Sequence, residues 1–282
     1  MGSIVKSVVG FVSDVASFID PGKFITGVAI SVVGSLLAPK PKVSNSSIQE
    51  QSYTKESTAR AIMSKTPIAN REIVYGNTKK SGSILFMDTT DNNKRVHVII
   101  QIASHEIQSF DSIYFNDEEL TISSTGNDSN GIARFKVTSP SKYATASTID
   151  SSEFKVRIKQ HLGSDNQSAD ADLISEIPGW TNEHRLRGIA YLYVRLENDA
   201  DMFPNGLPNI SAEISGKKLL DFRTGSTSFS KNPALAIYDY LSDTRLGLGV
   251  SLDDIDTTSF TTLANVCDEN VALSAGGTEK RY

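Results

Sequence analysis

Four histidines, one cysteine and a few close-set carboxylates are the residues whose types could carry catalysis or hold a metal. Asp170 and Asp172, two apart in Ser168-Ala169-Asp170-Ala171-Asp172, could donate oxygens to calcium. The stretch does not satisfy an EF-hand loop, which needs ligands through its last position. The alternative is a helix start, where acidic side chains favour the positive end of the dipole. His97 and His105 lie on or near a strand pattern, and His161 and His184 flank an acidic stretch. A lone histidine in a β-rich chain is structural by default. Cys267 shares a helical face with Phe260, Leu263 and Ala264, which makes it a small buried hydrophobe rather than a nucleophile. His184, Arg185 and Arg187 form a small basic patch with two open uses: ion pairs to Asp165, Asp170 or Glu176, or a phosphate contact. Asp253, Asp254 and Asp256 read as a solvated helix start. No G-x-S-x-G elbow, H-E-x-x-H pair or Walker loop is present. The expectation is a chain that is not an enzyme, with no catalytic residue, no cofactor and no metal site.

The elements that must position these residues are mainly β. Ser83 to Met87, Arg95 to Ala103, Ile107 to Phe115 and Leu120 to Ile122 read as strands. Phe154 to Lys159, Ala190 to Leu196 and Ile210 to Ile214 alternate apolar and polar residues. Asp91-Asn92-Asn93-Lys94, Asn116 to Glu119 and Gly126 to Gly131 are turn clusters between them. Such spacing suggests a barrel or sandwich. The last part changes character. Asn232 caps a helix with Pro233 at its first position, running to about Thr244, and Asp256 to Ser259 opens a second. Leu235, Tyr238 and Leu241 or Leu246 are expected to pack on Phe260, Leu263 and Cys267, with Arg245 meeting carbonyls or a carboxylate at the helix end. The fold class expected is mainly β with α (α+β).

The chain has 282 residues, 39% of them apolar, and a net charge of -5. A general nucleic-acid binder carries a basic face, so sequence-specific nucleic-acid binding is not expected. One cysteine excludes an internal disulfide. Residues 3–38 stand apart. Ile4, Val5, Val8, Val12, Val15 and Ile19 recur at helical spacing, Asp20-Pro21-Gly22 interrupts, and Phe24 to Ala38 is uncharged. This second run is shorter than the roughly 20 residues that span a bilayer as a helix. An apolar helical hairpin is expected over residues 1–42, protected against another protein surface. Its assembly residues would be Val8, Val12, Val15, Phe24, Val28, Val32 and Leu36. A membrane-active segment and a cleaved leader are the alternatives. Residues 43–70 read as a polar linker, 71–230 as the β-rich part, and 231–282 as a helical portion.

Three stretches carry a resemblance. Asn232-Pro233-Ala234 to Gly249 matches the pattern NPA-x4-D-x-L-x3-R-x-G-x-G, with Asp239, Leu241, Arg245, Gly247 and Gly249 at its fixed places. Gly276-Gly277-Thr278-Glu279 follows as a GGTE turn. Upstream, His184-Arg185-Leu186-Arg187-Gly188-Ile189-Ala190-Tyr191-Leu192 and Phe203-Pro204-Asn205-Gly206-Leu207-Pro208-Asn209-Ile210 form two further motifs. Together these resemble siphophage tail-tip hub proteins of the lambda J type, over roughly residues 70–282, most specifically from 232 onward. The resemblance implies tail-tube-like β-barrel hub domains and a structural role. Such a protein forms a homotrimer on the axis, caps the distal end of the tail tube, and takes part in host attachment and DNA ejection. It implies a place in the virion at the distal tail tip, after assembly in the host cytoplasm. Partners would be distal tail and tail tube proteins. The tape-measure protein is the expected contact of residues 3–38, where a membrane contact also stays open. Members of this family are usually much longer, so the helical portion is expected to continue in longer homologues, and a host receptor would be met only through regions not present here. Two alternatives of other classes are a tail-associated cell-wall hydrolase, which needs a carboxylate pair in a cleft, and a membrane-inserting module built on residues 3–38.

Overall fold

The computed structural model describes Met63, residues 70–274 and residues 276–281. The expected hairpin of residues 3–38 lies outside the described residues, as does most of the expected linker. All described residues fall in one compact unit.

Nine strands form one antiparallel sheet. In chain order they are β1 Asn77–Ser81, β2 Ser83–Thr90, β3 Arg95–Ala103, β4 Ser109–Phe115 and β5 Glu118–Asn127. Then come β6 Ala133–Ser139, β7 Val156–His161, β8 Ala190–Glu197 and β9 Ile210–Ser215. Their spatial order is β1-β9-β4-β5-β6-β7-β8-β3-β2. The two ends of that order are neighbours in the chain, separated only by Gly82. Ser81 faces Ser211 of β9, and Ser83 faces Gln101 of β3. The sheet therefore curls until its edge strands meet at one bend. A Cβ at Gly82 would overlap the Gln101 carbonyl oxygen, so glycine is required at this close approach. The curl has one open seam. β4 and β5 pair only from Ile113–Phe115 to Glu118–Leu120, and the rest of β5 pairs with β6 alone. The result is a half-open barrel with few helices.

Period-2 alternation sorts the strand residues into two layers. Val98, Ile100 and Ile102 of β3, Ile113 and Phe115 of β4, and Val156 and Ile158 of β7 fill the inside with Leu192, Val194 and Leu196 of β8 and Ile210, Ala212 and Ile214 of β9. The other faces of β3, β7 and β8 are buried too. The segment between β7 and β8 covers them and contains a short helix, α1 Ala171–Glu176. Ile99, Tyr191 and Tyr193 pack there against Leu173, Ile177, Trp180 and Leu186. Burial on both faces is why β3 reads as a continuous apolar run rather than an alternating one.

A small helical unit follows. The hairpin of β10 Lys218–Asp221 and β11 Ser226–Phe229 leads to α2 Pro233–Ser242, α3 Thr257–Cys267 and a last hairpin, β12 Asn270–Ala272 with β13 Thr278–Lys280. Leu219, Ala234, Leu235, Ala264 and Cys267 form its core, so the first hairpin belongs with the helices rather than with the strands before it. Cys267 is buried and apolar in its contacts, as the sequence suggests. Tyr238 meets Phe260 edge-on at 5.6 Å. Two packing expectations are corrected. Leu263 is 45% exposed, because Ala264 and Cys267 face the core and Leu263 is rotated out of that face. Leu241 is only half-buried, so its truncation carries less than the cost of a core leucine. The helix ends at Ser242, short of Thr244, where the Asp243 carboxylate accepts from the Arg245 and Leu246 N–H groups.

Asn232 does two jobs. Its Oδ1 accepts from the Ala234 N–H at 3.0 Å, and its Nδ2 donates to the Ala264 carbonyl at 2.9 Å, tying α2 to α3. Asn232→Ala is expected to destabilise the chain by about 1–2 kcal/mol, read from urea unfolding. Asn232→Ser, which keeps a cap but loses the bridge, should fall between the two.

Candidate functional site

The densest polar chemistry lies in the outer layer, between the barrel wall and the β7–β8 segment. Strand alternation sets Arg157, Lys159 and His161 on one face of β7, and all three are buried. Lys159 has no exposure. Its Nζ donates to Asp128 at 2.6 Å, Asp170 at 2.8 Å and Asp172 at 3.1 Å. Asp170 is the N-cap of α1 and accepts from the Asp172 and Leu173 N–H groups. Its other oxygen accepts from His161 Nε2 at 2.8 Å, which fixes the proton of that ring on Nε2. Asp172 is held by Arg134, whose Nε donates at 2.8 Å. Arg157 and Arg195 both reach Glu176, at 2.7 and 3.3 Å, and Arg195 also reaches Glu153 at 2.7 Å.

Burial by itself would raise the Asp170 carboxyl. The His161 hydrogen bond and the Lys159 charge outweigh it and hold the group below the ordinary aspartate value. Asp172 is likewise held down, burial being outweighed by Arg134, Arg157 and Lys159. His97, with Nε2 at Thr90 and Nδ1 at Tyr193, is pushed down to about 4 by burial, which the nearby Glu176 only partly opposes. Burial lowers His105 as well; its Nε2 accepts from the Val74 N–H.

These carboxylates are already neutralised by cations and sealed from solvent. Asp170 does serve as a helix start, as the sequence allows. The calcium alternative is corrected: the oxygens of Asp170 and Asp172 face Lys159, His161 and Arg134, which would repel a cation. Among the described residues, no group of three or more His, Cys, Asp or Glu is placed to hold a metal ion. What this layer does is fasten the β7–β8 segment to the barrel.

A pH dependence follows. Between about 6.5 and 4 the unfolded chain binds a proton that folded His97 excludes, so stability falls as pH drops through this window; His105, also lowered by burial, acts in the same direction. Asp170 and Asp172 contribute stability that is complete above about 4 and is lost as pH falls through their lower folded values. Urea midpoints against pH should show two successive falls. The first should shrink in His97→Gln.

The fastened segment carries one exposed concavity. Gln167 holds its rim: the Nε2 donates to the carbonyls of Arg185 and Leu186, and the Oε1 accepts from the Gly163 N–H. Leu186 sits at φ +48, unusual for a branched aliphatic residue, with its side chain in the Ile99–Tyr193 cluster. This turns Arg185 and Arg187 toward a pocket of about 340 Å³, shared with Asn130, Gln167, Ser168, Ala169 and Asn182. Trp180 stacks on His184 beside it. Gly188 follows at φ +69, and the Arg245 guanidinium lies against it: a Cβ there would stand 2.6 Å from an Arg245 nitrogen.

The structure thus brings Arg245 against Gly188, which stands three residues after Arg185 in a distant stretch. The expectation for Arg245 is corrected: it lies past the end of α2 and reaches across to Gly188. Ion pairs of the basic patch with Asp165, Asp170 or Glu176 are also corrected. Arg185 meets Glu183 at 3.4 Å, while Asp170 and Glu176 are taken by β7 and β8 residues. Asp239 has another task. It accepts from Tyr75 at 2.6 Å and from Lys217 at 2.7 Å, and Lys217 also reaches Asp243, which fastens α2 to the barrel end. Gly247 and Gly249 lie in the turn after α2, and Gly276 and Gly277 between β12 and β13. Lys159, Arg134 and Asp128 were not legible as a group in the sequence. The only sign was the in-line Lys159 and His161 on an otherwise apolar strand.

No family model matches the chain, and no curated protein does. Among solved structures it is similar to a chain from the virion of a native gene transfer agent particle, at 14% identity and a TM-score of 0.37. That match covers 56% of this chain and 29% of the other, so this chain spans less than a third of that chain's length.

Proposed function

We propose that this chain is a structural hub protein of a phage-type tail, forming a homotrimer at the distal end of the tail tube and acting in attachment and DNA ejection. The observation that carries this is the meeting of Arg245 and Gly188. The two stretches that most resemble lambda J-type hubs are far apart in the chain, yet they join at one contact, and the half-open β barrel they join suits a ring-building domain. The engagement of the buried Asp170 and Asp172 with Lys159, His161 and Arg134 supports a structural rather than a hydrolytic reading. Three half-open barrels would stand around the tail axis, presenting acidic or neutral side chains to the lumen so that passing DNA is not gripped. Electron microscopy of assembled particles carrying a labelled copy tests this. Three copies at the distal tail end are expected. One or two copies, a position elsewhere, or a strongly basic lumen built from this chain would overturn it.

A further inference from the structure

The arginines of this chain divide into two groups. Arg95, Arg134, Arg157, Arg185, Arg195, Arg223 and Arg281 each have a carboxylate within ion-pair distance. Among the described residues, Arg71, Arg187 and Arg245 have none. Arg187 directly precedes Gly188, and the Arg245 guanidinium lies against that glycine from a later stretch of the chain; the partner of Arg185 nearby is a long, exposed contact to Glu183. Guanidinium groups gathered on one surface repel each other unless an anion lies between them. The pocket that Arg185 and Arg187 line adds Asn130, Asn182 and Ser168, whose amides and hydroxyl suit an oxygen acid.

The same chain carries a matching anion. Asp253 and Asp254 stand in a 3-10 turn, Leu252–Asp254, capped by Ser251. Both are exposed and neither carboxylate has a partner among the described residues. Leu252, next to them, is 59% exposed, and Leu248 is 63% exposed. A turn that displays bare leucines beside two unpaired carboxylates looks like a surface made to be covered. Asp256, one step on, is used up as the N-cap of α3.

We propose that the Arg185–Arg187 pocket, with Arg245 against the neighbouring Gly188, is a carboxylate-binding site for the Asp253–Asp254 turn of a second copy of this chain. Asp253 and Asp254 enter the pocket and Leu252 packs beside the Trp180–His184 stack. When each copy lends its pocket to one neighbour and its turn to the other, the contact is heterologous and repeats head to tail, which closes into a ring when the rotation allows. This surface presupposes the ring proposed above and assigns its contacts.

The experiment is a charge swap on the full chain, read by sedimentation velocity across a concentration series. Arg187→Glu with Arg245→Glu, and Asp253→Lys with Asp254→Lys, should each weaken self-association at least about tenfold. All four changes together should restore most of it, which a misfolded variant cannot do. Raising the salt should weaken the wild-type contact and leave the neutral variant with Arg187→Gln and Arg245→Gln unaffected. If the wild type forms trimers and neither reversed pair alters them, or if the fourfold variant shows no rescue, this site is wrong while the ring stands. If the wild type stays monomeric at every concentration and in the particle, both fall together.

Discussion

Lys159→Met is expected to remove about 3–5 kcal/mol of stability, a large fraction of the roughly 5–15 kcal/mol typical of a domain. Methionine fits the space but leaves Asp128 and Asp170 buried without their shared cation. Their remaining donors are backbone N–H groups and His161. Urea unfolding at neutral pH measures the loss. The deficit should shrink on acidification. Uncompensated buried carboxylates have raised folded pKa values, so protonation favours the folded variant, whereas it weakens the wild type. The two stability curves should therefore converge toward low pH. Arg185→Met, which removes an exposed pair and an exposed hydrogen bond to the Asn182 carbonyl, should cost no more than about 1 kcal/mol. A Lys159→Met loss as small as that would mean that the outer layer does not fasten the β7–β8 segment.

Phe115→Ala is expected to cost roughly 3–5 kcal/mol. Phe115 has no exposure and lies inside the barrel at the end of β4. Its ring meets Tyr143 edge-on at 5.3 Å, and Tyr143 stacks on Phe203 at 5.7 Å. Truncation opens a cavity at this end and unseats both neighbours. Calorimetry should show a melting point lower by about 6–20 °C, at some 2–4 °C per kcal/mol for a domain of this size. Leu85→Ala, at a site 40% exposed on β2, should stay within about 0.5 kcal/mol. Similar losses at both positions would contradict the assignment of the inside layer.

The two results read different layers. The inside of the barrel is apolar and follows from alternation. The outside of β3, β7 and β8 is polar, yet just as buried, and depends on the segment that covers it.

That division marks what the sequence by itself determined. Local pattern and local chemistry settled β3, β8 and β9 nearly to the residue, the Asn232 and Asp256 caps, and the buried character of Cys267. Each depends on neighbours a few residues away: a period of two along a strand, or a side-chain oxygen reaching an N–H two positions on. β6 was missed although Ala133, Phe135 and Val137 alternate with Arg134, Lys136 and Thr138, the same period of two that marks the other strands. The closure at Gly82 was hidden for a different reason: a glycine between two short strands shows its role only when the Gln101 carbonyl is placed beside it. The ionic layer was likewise beyond reach. Asp128, Lys159 and Asp170 are scattered in the chain, and burial, not spacing, selects them as partners. The Arg245–Gly188 contact joins two motifs whose residues were visible one by one. Their meeting was decided by the packing of the helical unit on the barrel, through the link from Asp239 and Asp243 to Tyr75 and Lys217, because a side chain fixes its own local geometry but only the folded surface fixes which distant group it reaches.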